Sequence, residues 1–189
     1  MITFTNLLIK AFILITFFIL FIPLAVVVII IKLSSKGPVL HWSKRIGYNN
    51  KIFLMPKFRT MHLNAPDLPT HLLKEHEKYS FKFGSFLRKT SIDEIPQLWS
   101  VFVGDMNIVG PRPALHNQDD LVSMRTDRGI HLLKPGITGL AQVKGRDEIS
   151  IPLKVDYDYE YLQRKSLIFD VYIIFLTVIN VLRKKNINH

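Results

Sequence analysis

The sequence predicts an α+β chain that enters a membrane near its N-terminus. Three observations lead there. Residues 11 to 31 carry no charge, and Pro23 sits in the middle of them. Two short runs, Val39 to Trp42 and Lys51 to Arg59, read as strands around a Gly47-Tyr48-Asn49-Asn50 turn. Apolar residues at helical spacing then recur from Ser91 to about Val103 and again towards the C-terminus.

The N-terminal run, Ala11 through Ile31, is flanked by Lys10 and Lys32. At about 1.5 Å per residue such a helix is long enough to cross the bilayer core. A cleaved signal peptide matches it poorly. The apolar stretch is too long, the positive charge ahead of it is only the terminal amine and Lys10, and no small-x-small site precedes Lys32. Pro23 removes a backbone donor, frees the carbonyl of Ile19 and kinks the helix. Two arrangements satisfy this: a kinked spanning helix, or a re-entrant hairpin that dips into one leaflet and returns. Lys32, Lys36, Lys44 and Arg45 make the next segment basic, and for a spanning helix that keeps it cytoplasmic.

Beyond the membrane segment, Ser34-Ser35-Lys36-Gly37-Pro38 is a breaker cluster. After the strand pair, residues 64 to 69 hold two prolines and read as a loop, and residues 71 to 79 as a short polar helix. Met106 to Val109 reads as a short strand before Gly110-Pro111-Arg112-Pro113. Asp119 to Arg128 reads as a helix, and residues 134 to 139 as a turn-rich loop running into Leu140 to Val143. From Pro152 on the pattern is helical. Tyr157 to Lys165 is polar and aromatic, Val171 to Leu182 is apolar, and Arg183-Lys184-Lys185 follows. This last apolar run is too short to span a membrane. It is either a core helix or a helix lying in the membrane interface, anchored by its basic end.

Composition narrows the function. The 189 residues hold 25 Lys and Arg against 15 Asp and Glu, a formal charge of +10. One domain plus a membrane segment fits that length. The cationic excess suits nucleic acid, an anionic membrane surface or phosphorylated substrates. Cysteine is absent, which excludes disulfide frameworks and thiolate metal sites and fits a reducing cytosol. The seven histidines show no metal spacing, and neither phosphate-binding glycine motif of the common nucleotide folds occurs.

The chemistry concentrates in Leu87-Arg88-Lys89-Thr90-Ser91-Ile92-Asp93-Glu94-Ile95-Pro96. A carboxylate is already ionised at neutral pH and needs no general base to act as a nucleophile. A second carboxylate can hold a hard metal ion, and arginines receive phosphate. Asp93, Glu94 and Arg88 are therefore the parts of a phosphoryl-transfer site. The plain alternative is that Ser91-x-x-Glu94 is a capping box. Pro96 favours the first helical turn, so the helix could start as late as Pro96, with both carboxylates at its N-terminus. Arg112, fixed between Pro111 and Pro113, offers a guanidinium at low entropic cost to a phosphate or a planar base; its plain reading is a solvated surface arginine. Lys57 and Arg59 alternate with apolar residues, so a strand puts both on one face, which could equally be a solvated sheet face.

These residues, in this order, resemble the bacterial monotopic phosphoglycosyl transferases, small sugar transferases that act on undecaprenyl phosphate. The likeness runs through Ser35-Lys36-Gly37-Pro38-Val39, Lys57-Phe58-Arg59-Thr60-Met61, the 86–98 segment, Gly104-Asp105-Met106, Val109-Gly110-Pro111-Arg112-Pro113 and residues 135 to 143. The resemblance implies transfer of a sugar 1-phosphate from a UDP-sugar to undecaprenyl phosphate, with release of UMP. It implies Asp93 as nucleophile, Glu94 with Asp93 as ligands of Mg2+, and Arg112 with Pro111 and Pro113 at the nucleotide. Arg88, Lys57, Arg59, Gln142 and Arg146 complete the implied substrate-binding set. It also implies a re-entrant helix broken at a Ser-Pro pair, where this chain has Ile22-Pro23.

The expected protein is then a monotopic α+β membrane enzyme on the cytoplasmic face of the bacterial inner membrane. Residues 1–36 form the re-entrant helix broken at Pro23, 37–165 the cytoplasmic catalytic core with short strands, and 166–189 an interfacial amphipathic helix with a basic tail. Its partners are the UDP-sugar, the lipid phosphate and the bilayer, with downstream glycosyltransferases and a second copy of itself as protein partners, and no nucleic acid. An N-acetylated amino sugar is the expected cargo, from the family alone. Two rivals remain: a non-catalytic basic module for membrane or nucleic acid, which leaves the acidic pair unexplained, and a membrane phosphatase passing through an aspartyl phosphate, for which water is the acceptor.

Overall fold

The computed structural model describes residues 4–65, 79–145 and 149–182. Helices dominate, joined by two small sheets. The sequence-predicted loop at 64 to 69 and helix at 71 to 79 lie largely outside the described residues, as do the tail from 183 on and Arg146. Two compact units divide the chain: residues 1–42 with 56–102, and residues 43–55 with 103–188.

The first unit begins with two apolar helices, α1 (Phe4–Ile19) and α2 (Phe21–Ser34), bent by 62°. No single helix among the described residues is long and apolar enough to cross a membrane, whereas this bent pair passes together. The break falls at Leu20, three residues ahead of Pro23. Proline thus sits in the first turn of α2, where a missing N–H costs no intrahelical bond. Ile19 ends α1, so its carbonyl is among those a helix terminus leaves over in any case. The sequence placed the kink at Pro23 itself; the chain resolves it as a helix end and a new start. Thr16 adds a hydroxyl bond of 2.9 Å to the carbonyl of Phe12 just ahead of the bend.

One face of α2 is the seat of this unit. Leu24, Val27 and Ile31 pack with Phe58, Phe81, Leu87 and Ile92. Phe58 ends β2 (Ile52–Phe58), which forms a two-stranded sheet with β1 (Leu40–Ile46). Asn49 and Asn50 turn the chain between them at φ 53° and 57°, a conformation asparagine tolerates better than most residues. Leu87 belongs to α3 (Lys82–Lys89). Gly84 in α3 lies so close to the strand end that a Cβ would stand 2.1 Å from the carbonyl oxygen of Thr60.

Where one amphipathic helix was expected from Ser91 to Val103, the chain forms a 3₁₀ turn, Ile92–Gln97, followed by α4 (Leu98–Val103). Pro96 is the reason. Without an N–H it cannot make the α-helical bond back to Ile92, and the segment before it tightens.

The second unit holds β3 (Asn107–Val109), α5 (Asp119–Asp127), β4 (Gly136–Thr138), α6 (Leu140–Lys144), α7 (Ile151–Arg164) and α8 (Leu167–Leu182). Its core gathers Val109, Leu121, Ile130, Leu140, Val155, Tyr161 and Ile173. β3 and β4 pair in parallel, Asn107 with Gly136 and Val109 with Thr138. The sequence read the β4 segment as loop, because three residues beginning with glycine carry no strand periodicity.

The C-terminal helical region also divides. α7 ends at Arg164, and Ser166 caps α8: its hydroxyl accepts the N–H of Phe169 at 3.2 Å. α8 is turned with its apolar residues outward. Leu167, Ile168, Val171, Phe175 and Val178 are all more than half exposed. Its polar residues point into the unit instead. Thr177 bonds Thr138 at 2.6 Å, Asn180 donates to the carbonyl of Val143 at 3.0 Å, and Asp170 accepts from the buried Tyr161 hydroxyl at 2.7 Å. Ile173 and Phe169 supply its buried apolar contacts.

The contact at Gly84 sets a sign. In an exposed helix interior, Gly to Ala stabilises by about 1 kcal/mol. Here the added methyl meets a backbone oxygen, and overpacking of that kind costs about 1–3 kcal/mol. Gly84→Ala is expected to lower the melting temperature of the detergent-solubilised protein; an equal or higher value would refute the close packing of α3 on Thr60.

Candidate functional site

The first unit brings Arg88 and Asp93 together. Arg88 comes from the last turn of α3 and Asp93 from the start of the 3₁₀ turn, and both are buried. Thr90 and Ser91 make the corner between them. The Thr90 hydroxyl bonds back to the carbonyls of Phe86 at 2.9 Å and Leu87 at 3.1 Å, closing α3. Ser91 then adopts φ 57°, a left-handed residue that reverses the chain within one step. Burial pushes the Arg88 guanidinium below its usual range, and the Asp93 charge pulls it back up. A guanidinium titrates so far above neutrality that Arg88 stays charged. It also donates to the Ser80 hydroxyl.

Glu94 follows at intermediate exposure. The capping box weighed as the plain alternative at Ser91-x-x-Glu94 is not built from its serine: Ser91 makes no side-chain cap bond, and the Glu94 N–H donates to the Ser91 carbonyl at 3.2 Å. The two carboxylates lie in the first turn of a 3₁₀ segment that itself contains Pro96, rather than at the N-terminus of a helix that starts at Pro96.

Lys57 and Arg59 part company. Lys57 is half-buried in β2, while Arg59 is 5% exposed. Arg59 donates through one terminal nitrogen to the carbonyl of Lys36 at 2.6 Å and through the other to that of Ser35 at 2.7 Å. Both carbonyls follow directly on α2. The solvated sheet face considered for this pair does not describe Arg59.

The second unit holds Pro111, Arg112, Pro113 and Gln142. Pro111 and Pro113 have no N–H, so the loop cannot satisfy its own carbonyls, and outside donors take over. The Pro111 carbonyl accepts from the Gly136 N–H at 2.9 Å, and that of Arg112 from the Arg125 side chain at 2.8 Å. The Pro113 carbonyl accepts from the Arg45 side chain at 3.2 Å, and that of Ala114 from the Ile46 N–H at 2.9 Å. Glycines allow the backbones to close in: a Cβ on Gly136 would stand 2.1 Å from the Gly110 nitrogen, and one on Gly139 2.1 Å from the Gly110 oxygen. Gln142 donates to the Ile137 carbonyl at 2.8 Å, and its buried Oε1 has no hydrogen-bond partner. A pocket at this loop is lined by Pro111, Arg112 and Pro113 together with Asn50, Arg125 and His131. The Nδ1 of His131 is likewise buried without a partner. Arg146 lies outside the described residues.

Sequence reasoning missed Arg125, His131 and Asp158. Arg125 donates to Asp158 Oδ2 through Nε at 3.0 Å and a terminal nitrogen at 2.5 Å. Residues 33 apart in sequence give no local sign of such pairing.

A family model described as bacterial sugar transferase matches residues 2–184. The chain belongs to the bacterial sugar transferase family. Three relatives illustrate the range of this family. A UDP-glucose:undecaprenyl-phosphate glucose-1-phosphate transferase of Xanthomonas campestris pv. campestris is 41% identical over 165 residues, covering 82% of this chain and 34% of the relative. An undecaprenyl-phosphate galactose phosphotransferase of Salmonella typhimurium is 38% identical, covering 78% and 34%. A UDP-N-acetylgalactosamine-undecaprenyl-phosphate N-acetylgalactosaminephosphotransferase of Aeromonas hydrophila is 35% identical, covering 82% and 38%. The chain spans about a third of the length of these sugar transferases.

The corner ahead of Asp93 supplies a stability test. A non-glycine residue in the left-handed region costs about 1 kcal/mol. Since Ser91 makes no cap bond, Ser91→Gly is expected to raise the melting temperature by a degree or more. A clear drop would show that the serine side chain carries a bond at this corner.

Proposed function

We propose that this chain transfers a sugar 1-phosphate from a UDP-sugar to undecaprenyl phosphate, giving the undecaprenyl diphosphate sugar and UMP. The observation that carries the reading is the buried Asp93 held in the field of Arg88, in a chain of a family whose named members perform this transfer. Asp93 attacks the phosphorus that bears the sugar. An Asp93–phosphorus bond forms, the bond from that phosphorus to UMP breaks, and UMP leaves with the electron pair. A phosphate oxygen of the lipid then attacks the same phosphorus, and the aspartyl bond breaks to restore Asp93. Arg88 steadies the carboxylate before attack and faces the equatorial oxygens during it. Arg112, in its clamped loop, binds the nucleotide. The sugar is an N-acetylated amino sugar on this reading, and the relatives' own names, spanning glucose, galactose and N-acetylgalactosamine, set the panel to try.

The donor set suits magnesium. Among the described residues no group of three or more His, Cys, Asp or Glu forms a closed cage. Mg2+ is content with one or two carboxylates plus substrate phosphate oxygens, and the carboxylate oxygens of Asp93 and Glu94, neighbours in sequence, are of that hard type. Glu94, with Asp93, would hold the ion, which when bound neutralises charge on the donor diphosphate.

For the membrane we infer a re-entrant α1–α2 pair with both ends on the cytoplasmic side, and α8 lying in the interface. Supporting this are the 62° break, the basic flanks Lys10 and Lys32, and the outward apolar face of α8. Such placement lets one site meet a soluble donor and a lipid acceptor.

Incubating the purified chain with UDP-sugars, with and without undecaprenyl phosphate, tests the reaction. UMP release that depends on the lipid is expected, and release that proceeds equally in water alone would point to a phosphatase. Asp93→Asn is expected to lower turnover by more than a hundredfold while the protein still folds, because the amide is a poor nucleophile. Retention of more than about a hundredth of wild-type activity would rule out the covalent role.

Topology is open to cysteine labelling, since the native chain has no cysteine. Ser35 is buried, so the exposed Lys36 is the better partner for Thr3. With an impermeant reagent on intact cells, Thr3→Cys and Lys36→Cys are both expected to stay unlabelled until lysis. Labelling of Thr3→Cys alone from outside would establish a spanning arrangement.

A further inference from the structure

We propose that Arg125 and Asp158 are positioning residues that hold the Arg112 loop in its nucleotide-binding shape. The proposal rests on the nucleotide reading of Arg112 given above.

Four carbonyls in a row, 111 to 114, depend on donors from elsewhere in the unit. Two of those donors are backbone N–H groups, and Arg45 reaches the third carbonyl at 3.2 Å. Arg125 is the one that bonds Arg112 itself, and at 2.8 Å it is the shorter of the two side-chain contacts. Its guanidinium is used on three sides. Nε and one terminal nitrogen hold Asp158 Oδ2, and the other terminal nitrogen holds the Arg112 carbonyl. A planar guanidinium fixed along one edge by a carboxylate holds its other terminal nitrogen in a set place, with that nitrogen's two N–H groups in the same plane. Asp158, 1% exposed on α7, supplies that edge.

The pair is costly for its place. Burial pushes the Asp158 carboxyl up, and Arg125, with Lys154 further off, pulls it back. The buried core of the same unit is apolar, with Leu121, Val155 and Ile130 among its members. Buried ion pairs are often replaced by well-packed apolar side chains at no loss of stability. If α5 and α7 needed only to adhere, apolar side chains would serve. What apolar side chains cannot do is donate to the carbonyl of Arg112. Arg125 also lines the pocket that Arg112 and His131 line, so a shift of the clamp is felt where a base would sit.

The test compares UMP affinity with stability in full-length protein in detergent, by titration calorimetry and thermal melting. Arg112→Ala calibrates the site and is expected to weaken UMP binding about tenfold or more. If Arg112→Ala leaves UMP affinity unchanged, the nucleotide reading of the loop fails, and the clamp's role fails with it. Arg125→Met combined with Asp158→Leu removes the charges with similar side-chain volume. It is expected to melt near the wild-type temperature yet bind UMP about tenfold more weakly. Wild-type affinity in that folded double variant, with Arg112→Ala impaired, overturns the clamp alone. Arg125→Lys, which keeps a cation beside Asp158 but has no planar fork to hold Asp158 and the Arg112 carbonyl together, serves if the double variant does not fold. It is expected to weaken UMP binding severalfold, and an unchanged affinity overturns the proposal equally. In an Arg112→Ala background the same changes are expected to add nothing further, whereas a purely structural pair would add its full effect.

Discussion

Arg59 carries the constraint on which the first unit depends. α2 ends at Ser34, and the chain leaves it through Ser35 and Lys36 into Gly37-Pro38, a stretch with no regular structure of its own to pair its carbonyls. The guanidinium of Arg59 reaches back to the carbonyls of Ser35 and Lys36 and fixes where α2 stops. That stop decides which residues of α2 face Phe58, Leu87 and Ile92. Those in turn fix α3 and the 3₁₀ turn, and so the meeting of Arg88 with Asp93. A buried cation spent on backbone carbonyls thus sits in the same unit as the candidate nucleophile. Gly37 marks how tight the arrangement is: a Cβ there would stand 2.8 Å from an Arg59 nitrogen.

The second unit meets the same constraint with proline instead of a helix end. Pro111 and Pro113 stiffen the loop but forfeit two N–H groups, so its carbonyls become the handles by which the unit grips it. Arginines again do part of the gripping. In both units the candidate site residue is not the residue that secures the backbone. Asp93 and Arg112 stand at positions that Arg59, Arg125 and Arg45 help to define.

Much of this was legible in the sequence, and the remainder was not for identifiable reasons. The strand pair, the 119–128 helix and the short strand before Gly110 announce themselves through alternation, periodicity and turn residues. Asp93, Glu94, Arg88 and Arg112 stand out because acidic and basic residues sit in short, breaker-marked stretches. Arg59 did not reveal its clamp, because alternation in a strand places a side chain on a face without saying what covers that face. The start of α7 near Pro152 and the division at residue 166 were legible, whereas the short helix α6 was not, because five residues carry no helical period. β4 was hidden because its partner is parallel and more than twenty residues away, so no hairpin turn signals it. The Arg125–Asp158 pair joins two helices whose surfaces look ordinary one at a time.

The orientation of α8 has a consequence for how substitutions in it should be read. Averaged hydropathy discards phase, and in this helix the phase is inverted relative to a core helix of a water-soluble protein. Thr177 and Asn180, which a casual reader would count as tolerant, make specific bonds to Thr138 and Val143. Phe175 and Val178, which would be counted as core, touch little of their own chain. Variation along α8 should therefore be permissive at the outward greasy positions, provided they stay greasy, and strict at Phe169, Ile173 and the hydroxyl and amide positions.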